Sequence, residues 1–196
     1  MPSIVEICNI ALTRFGGDTI NSLTEASQGA RQCNLIFNTV RDAVLREFPW
    51  NFASKIVRLA LVSDVTVPGW DYAYQYPSDC LQARRVFSEA TVNDVKPAAF
   101  VVMNTLSGRV VLCNIEYAYL EYTARITDPN IYDPQFIDAL AWKLAADLAV
   151  PIAGDAKLRE HCLGVYQRVI ASAWENNASE GRDEVKQSRS YIEVRR

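Results

Sequence analysis

Only one histidine, His161, occurs in the 196 residues. A lone histidine beside Cys162 is a poor start for a metal site or a catalytic dyad, because helix neighbours point about 100° apart. The five cysteines, at 8, 33, 80, 113 and 162, contain no C-x-x-C pair, and their separations of 25, 47, 33 and 49 match neither a zinc ribbon nor a disulfide framework. No stretch reaches the roughly 18 uncharged apolar residues of a membrane span. The opening MPSIVEICNIALTRFGG lacks a basic start, an apolar run and a small-residue cleavage site, so no secretory signal is expected. Reduced, cytoplasmic chemistry is the expectation. Charge of one sign is also scarce: 20 Lys and Arg oppose 23 Asp and Glu, a net of −3. A broad nucleic-acid grip usually needs a basic excess, which is missing. Hydrophobic residues at 49% and charged residues at 22% describe a folded domain rather than a disordered chain.

Four helical stretches and one β-rich stretch are present. Ser3 and Glu6 form a capping box, Ile4, Ile7, Cys8, Ala11, Leu12 and Phe15 follow at helical spacing, and Gly16-Gly17 stops the run. Ser22 and Glu25 offer a second box. Ala26, Ala30, Cys33, Phe37, Val40 and Val44 then mark a helix over 24–47, about 36 Å long, ended by Phe48-Pro49. The first two helices are expected to form a hairpin. Asp133-Pro134 caps a third helix with Phe136, Ile137, Leu140, Ala141, Leu144, Ala145 and Leu148 inward, and Val150-Pro151 is its expected end. A fourth begins at Gly154-Asp155, with Leu158, Cys162, Val165, Tyr166, Val169 and Ala173 inward, and ends near Asn176-Asn177 or Gly181.

Between residues 55 and 125 the period changes. Tyr72, Tyr74 and Tyr76 alternate with Ala73 and Gln75, and residues 84–87, 100–103, 109–113 and 116–123 read as short strands. Short connections predict one small antiparallel sheet. The expected fold is therefore α+β: an antiparallel bundle of about four helices, with the sheet inserted and an extended C-terminal tail. Its parts are a helical hairpin at 1–54, the β insertion at 55–126, a second helical pair at 127–181 and the tail at 182–196. That tail is basic and ends in an alternating run, Ser190-Tyr191-Ile192-Glu193-Val194, that suits ordering on a partner.

Catalytic groups are not marked out. Glu116 and Glu121 are the best carboxylate candidates, on the two faces of one expected strand, and Asp128, Asp133 and Asp138 read as turn and cap residues. Gly16-Gly17-Asp18 has no strand before it and no phosphate-loop lysine. No catalytic residue, metal ligand or cofactor site is assigned. Trp50, Trp70, Tyr72, Tyr74 and Tyr76 exceed what one small core requires, which points to an interface for Trp70 and the three tyrosines.

Several blocks carry a resemblance. Ile7-Cys8-Asn9, Ala11-Leu12, Arg14 and Gly16 form the first. Ile20, Ser22-Leu23, Glu25, Ser27, Ala30-Arg31 and Cys33-Asn34 form the second, and RDAVLREFPWNFA at 41–53 the third. WDYAYQYPSDCLQARRV at 70–86 and YTARITDPNIYDPQFIDALAWKLAADLAVPIAGD at 122–155 follow in order. Together, over about residues 3–181, the chain resembles the tail tubular protein A family, the head-to-tail adaptors (connectors) of tailed, chiefly short-tailed, phages.

The resemblance implies a virion structural protein, assembled in the host cytoplasm and resident in the tail neck. It implies a homo-oligomeric ring, usually of about twelve copies, between the portal protein and the tail nozzle protein, with DNA passing unread through a central channel. No cofactor, enzyme activity or membrane is implied. By position alone it places portal contacts on Arg182, Lys186, Arg189, Tyr191, Ile192, Val194, Arg195 and Arg196, and the β region against neighbouring subunits or the tail. The competing expectation is a virion-borne cell-wall glycan hydrolase using Glu116 and Glu121.

Overall fold

The fold begins with a helix whose cap was legible in the sequence. In the computed structural model, which describes residues 2–92 and 98–180, Ser3 accepts from the Glu6 amide at 3.1 Å and Glu6 accepts from the Ser3 amide at 2.6 Å. Helix α1 (Ile4–Thr13) follows, and Gly16, at φ +78°, turns the chain out of it. Asn9 then pins the next loop by exchanging two hydrogen bonds with the Ile20 backbone, at 2.8 and 2.9 Å.

Helix α2 (Gln28–Glu47) starts later than expected. Ser22 and Glu25 are consumed in turns instead: Ser22 accepts from the Thr24 amide, while the Glu25 carboxylate accepts from the Asn21 amide and the Ser27 hydroxyl. Ser27 is the true cap, accepting from the Ala30 amide at 3.2 Å. The helix is therefore 20 residues long, about 30 Å.

Among the described residues two three-stranded antiparallel sheets replace the single expected one. The first has the order β1 (Ser54–Arg58), β6 (Tyr119–Ala124), β3 (Cys80–Phe87); the second has β2 (Tyr72–Gln75), β5 (Gly108–Cys113), β4 (Phe100–Thr105). Ile56 lies opposite Glu121, and Glu121 opposite Arg85; Tyr74 lies opposite Val111. Strand β1 had no sequence signal, because its Lys-Ile-Val-Arg core does not alternate. The expected strand over 116–123 is shorter, since residues 114–118 form the turn that carries the chain from one sheet to the other.

Helix α3 (Pro134–Ala153) has its expected cap: Asp133 accepts from the Gln135 amide at 2.7 Å, and Pro134 sits at the first helical position. It does not stop at Pro151. The proline lies within the last turn, and Gly154, at φ +67°, makes the left-handed exit with its amide on the Val150 carbonyl. Asp155 caps α4 (Ala156–Glu180) through the Lys157 amide at 2.7 Å. Helices α1, α2 and α4 all pack on α3, whereas α1 and α2 touch only narrowly.

One apolar core runs through both regions, from Ile7 and Leu12 through Phe37 and Val44 to Leu120, Phe136, Leu144 and Tyr166. Phe136 stands amid Trp50, Phe52 and Tyr132 at ring separations of 5.3, 5.1 and 4.8 Å. Trp50 is spent here, with its indole N–H donating to the Val44 carbonyl, so it is no surface aromatic. All five cysteines are buried, unpaired thiols. Arg41, also buried, donates to Asn38 and Asp42, and Asp42 in turn accepts from Arg125, which ties α2 to the end of β6.

Candidate interaction groove at the edge of the sheets

Three surface cavities, of about 370, 340 and 380 Å³, meet at Arg58, the last residue of β1. The first lies between Leu61, Tyr72 and Tyr117. The second lies between Glu89, Glu116 and Tyr119. The third lies at the end of β1 and beyond it, from Val57 to Ala60, with Tyr76, Asp79 and Tyr122 around it.

Tyr117 divides the first two. It has φ +56°, the one non-glycine residue with positive φ among those described, and 62% of it is exposed. A bulky side chain in that region costs roughly 1 kcal/mol, so the turn holds the ring outward at an energetic cost. The Arg58 guanidinium lies 5.3 Å from the ring centre. We therefore expect Tyr117→Gly to change stability by less than about 0.5 kcal/mol in urea unfolding, because released strain offsets the lost ring contacts. A loss above about 2 kcal/mol would show a ring needed for the fold.

The surroundings are aromatic and acidic. The Glu116 carboxylate raises the titration of the Tyr72 phenol. Tyr119 donates to Glu89 at 3.0 Å, which raises its phenol likewise, and its ring stacks on Phe87. Other large apolar residues are exposed as well: Ile56 and Val57 on β1, Leu61 beyond it, Val101 and Met103 on β4, and Leu106 at the tip of the β4–β5 hairpin. Ile56 and Val57 are adjacent and point to opposite faces, yet both are exposed.

The tyrosine stripe is divided. Tyr72 lines the groove. Tyr74 is a correction: it is buried, with its phenol donating to the Ile115 carbonyl at 2.8 Å, because its face of β2 is the core face. Tyr76 sits under the Arg109 guanidinium, 4.1 Å from the ring centre. Trp70 packs with Val62, Val65 and Val67 over Ala73, Val110 and Leu112, a small cluster on the other face of that sheet. Sequence reasoning missed Arg58, Tyr117 and Tyr119 as one grouping; they come from different strands and a turn.

Glu116 and Glu121 are not brought together. Glu116 lies in the turn, not on a strand, while Glu121 is on β6 and lines none of the three cavities. His161 is exposed on α4, Asp128 and Asp133 serve as caps, and Asp138 pairs with Arg14. Among the described residues no group of three or more His, Cys, Asp or Glu could hold a metal ion, and no helix is long and apolar enough to cross a membrane. Arg182, Lys186, Arg189, Tyr191, Ile192, Val194, Arg195 and Arg196 lie outside the described residues. The groove offers aromatic faces, carboxylates and one guanidinium, a surface suited to holding a polypeptide. No protein-family model matches the chain, and comparison with curated proteins yields no match.

Proposed function

We propose that this chain is a virion structural protein, a head-to-tail adaptor that forms a ring of about twelve copies between portal and tail nozzle. The four helices make the antiparallel bundle of that family, and the sheets face neighbouring subunits or the tail. The observation that supports the reading is the exposure of Leu61 and Tyr117 around one cavity with Tyr72, and of Ile56 and Val57 on the neighbouring strand, apolar and aromatic surface that suits repeated contact between copies. The ordered sequence blocks over residues 3–181 support it independently.

Ring closure multiplies modest protomer contacts into a stable assembly. Twelve protomers of net charge −3 carry about −36 in all, and an acidic or neutral lumen lets DNA phosphates slide without sticking. The basic segment 182–196 adds contacts to portal carboxylates.

Light scattering on the purified protein, alone and mixed with its portal, tests this. The expected result is a monomer of 22.0 kDa that joins the portal in about twelve copies. A protein that ignores the portal at every concentration overturns the reading. Removal of residues 182–196 should leave unfolding unchanged and weaken portal binding about tenfold or more.

A further inference from the structure

Among the described residues, β4 pairs with β5 on one side and with no strand on the other. Backbone alternation fixes which of its groups are left over. The Tyr76 amide donates to the Arg109 carbonyl, on the side of β5 that faces β2. Val110 and Leu112, out of step with Arg109, therefore bond towards β4, where Met103 and Val101 lie opposite them. Phe100, Val102 and Asn104 are left with their N–H and C=O groups on the open edge.

The other edges are blunted. Strand β3 is broken by two irregularities in register and carries Arg84 and Arg85, while β1 carries Lys55 and Arg58. Strand β2 is covered by the stretch after β1, through the Val62 amide on the Ala73 carbonyl and the Gln75 amide on the Ala60 carbonyl. Bulges and charges are what keep an edge from accepting another strand, and β4 has neither. Its six residues, Phe-Val-Val-Met-Asn-Thr, pair with β5 in unbroken register, and none is charged. Two copies that join strand to strand need an open edge from each, so the strand that β4 accepts is a second β4. The side chains suit this. Val101 and Met103, opposite Leu112 and Val110, extend the small apolar cluster beside Trp70, yet they are 44% and 37% exposed. Antiparallel pairing centred on Val102 sets Val101 against Met103 of the other copy in a non-hydrogen-bonded pair, where side chains lie closest. Phe100 then meets Asn104, and all three outward residues exchange their bonds. A shift by two residues sets an outward residue against one outside β4.

We propose that β4 is a self-association edge: two copies pair antiparallel through it about a two-fold axis at Val102, joining their two three-stranded sheets into one. A two-fold contact closes at two copies and does not propagate into a ring, so the proposal does not depend on the adaptor reading. One short strand from each copy buries well below the roughly 1,200 Å² of a stable complex. Pairing therefore belongs to concentrated protein, with a dissociation constant on the order of 0.1–1 mM, and dilute protein is monomeric.

Sedimentation equilibrium of the full chain, from about 20 µM to about 1 mM, should show monomer passing into dimer. Val102→Pro deletes an outward N–H and no bond to β5, and Val101→Lys places a charge at the seam; each should weaken association about tenfold or more. Leu35→Lys, at an exposed position of α2, should leave it unchanged. A parent chain that stays monomeric at about 1 mM overturns the proposal, as does association that all three variants share equally. Should Val102→Pro not fold, Val101→Lys decides alone: a folded variant that dimerises like the parent overturns the proposal. The register has its own check. Mixed Val101→Cys and Met103→Cys chains, oxidised with glutathione disulfide, should cross-link faster than either chain alone, since the five native thiols are buried. Faster cross-linking of either variant by itself overturns the antiparallel pairing centred on Val102.

Discussion

Replacing Phe136 by alanine should lower unfolding free energy by about 3–5 kcal/mol, the cost of removing a fully buried aromatic ring and leaving a cavity. The ring has no solvent exposure. Its neighbours come from two places: Trp50 and Phe52 from the link between α2 and β1, and Tyr132 from the turn before α3. Edge-on ring contacts add to the area term by about 0.5–1.5 kcal/mol each. Tyr132 keeps its place by donating to the Ile126 carbonyl at 3.1 Å. The link, the turn and α3 should loosen together, so the urea midpoint falls while the transition stays single. Tyr132→Phe, which keeps the ring and deletes one hydrogen bond, should cost only about 1 kcal/mol. A Phe136→Ala loss under about 1.5 kcal/mol would mean the cluster is not the joint between helices and sheets.

The second large effect is alkaline unfolding. Burial, with Asp79 accepting its hydroxyl at 2.9 Å, pushes the Tyr122 phenol up to about 12. Burial and a hydrogen bond with Cys80 take Tyr76 to about 12 as well. Burial raises Tyr166 further, helped by Glu47, which accepts its hydroxyl at 2.7 Å. An unfolded tyrosine titrates near 10. Between pH 10 and 12 the unfolded chain has released protons that the folded chain still holds, so stability falls as pH rises. It is fully present below pH 10 and lost through pH 12. A two-unit shift is worth about 2.7 kcal/mol for a fully buried group, and less for the partly exposed Tyr76. The combined loss should be about 3–5 kcal/mol over those two units. The buried thiols Cys80, Cys113 and Cys162, all held above their ordinary value by burial, add in the same direction. Tyr122→Phe should flatten the slope of stability against pH in that range. An unchanged slope would show that Tyr122 does not titrate late.

Helix ends written as local chemistry were legible in the residues themselves. Ser3 with Glu6, Gly16, and Asp133 with Pro134 each bind or shape backbone groups within a few residues, so their spacing along the chain is the interaction. Where two local solutions competed, spacing could not decide. Ser22 with Glu25 and Ser27 with Ala30 are both plausible caps, and the second prevails once Glu25 turns to the Asn21 amide. Pro151 read as a stop, but the helix carries it in its last turn, forgoing one backbone hydrogen bond, and the left-handed Gly154 sets the boundary.

The amino-acid sequence by itself determined the α+β class, the two helical ends flanking a β-rich middle, and the inward faces of the helices, because periodicity is a local record of burial. Strand pairing is not local. That β6 lies between β1 and β3 while β5 lies between β2 and β4 depends on which strands meet across long separations. The fate of each aromatic followed from that: Trp50 and Tyr74 went to the core, and Tyr72 and Tyr117 to the groove. Only the tertiary structure could bring Arg58, Glu89, Tyr117 and Tyr119 around one opening, since none of these side chains interacts with its sequence neighbours in a way that spacing records.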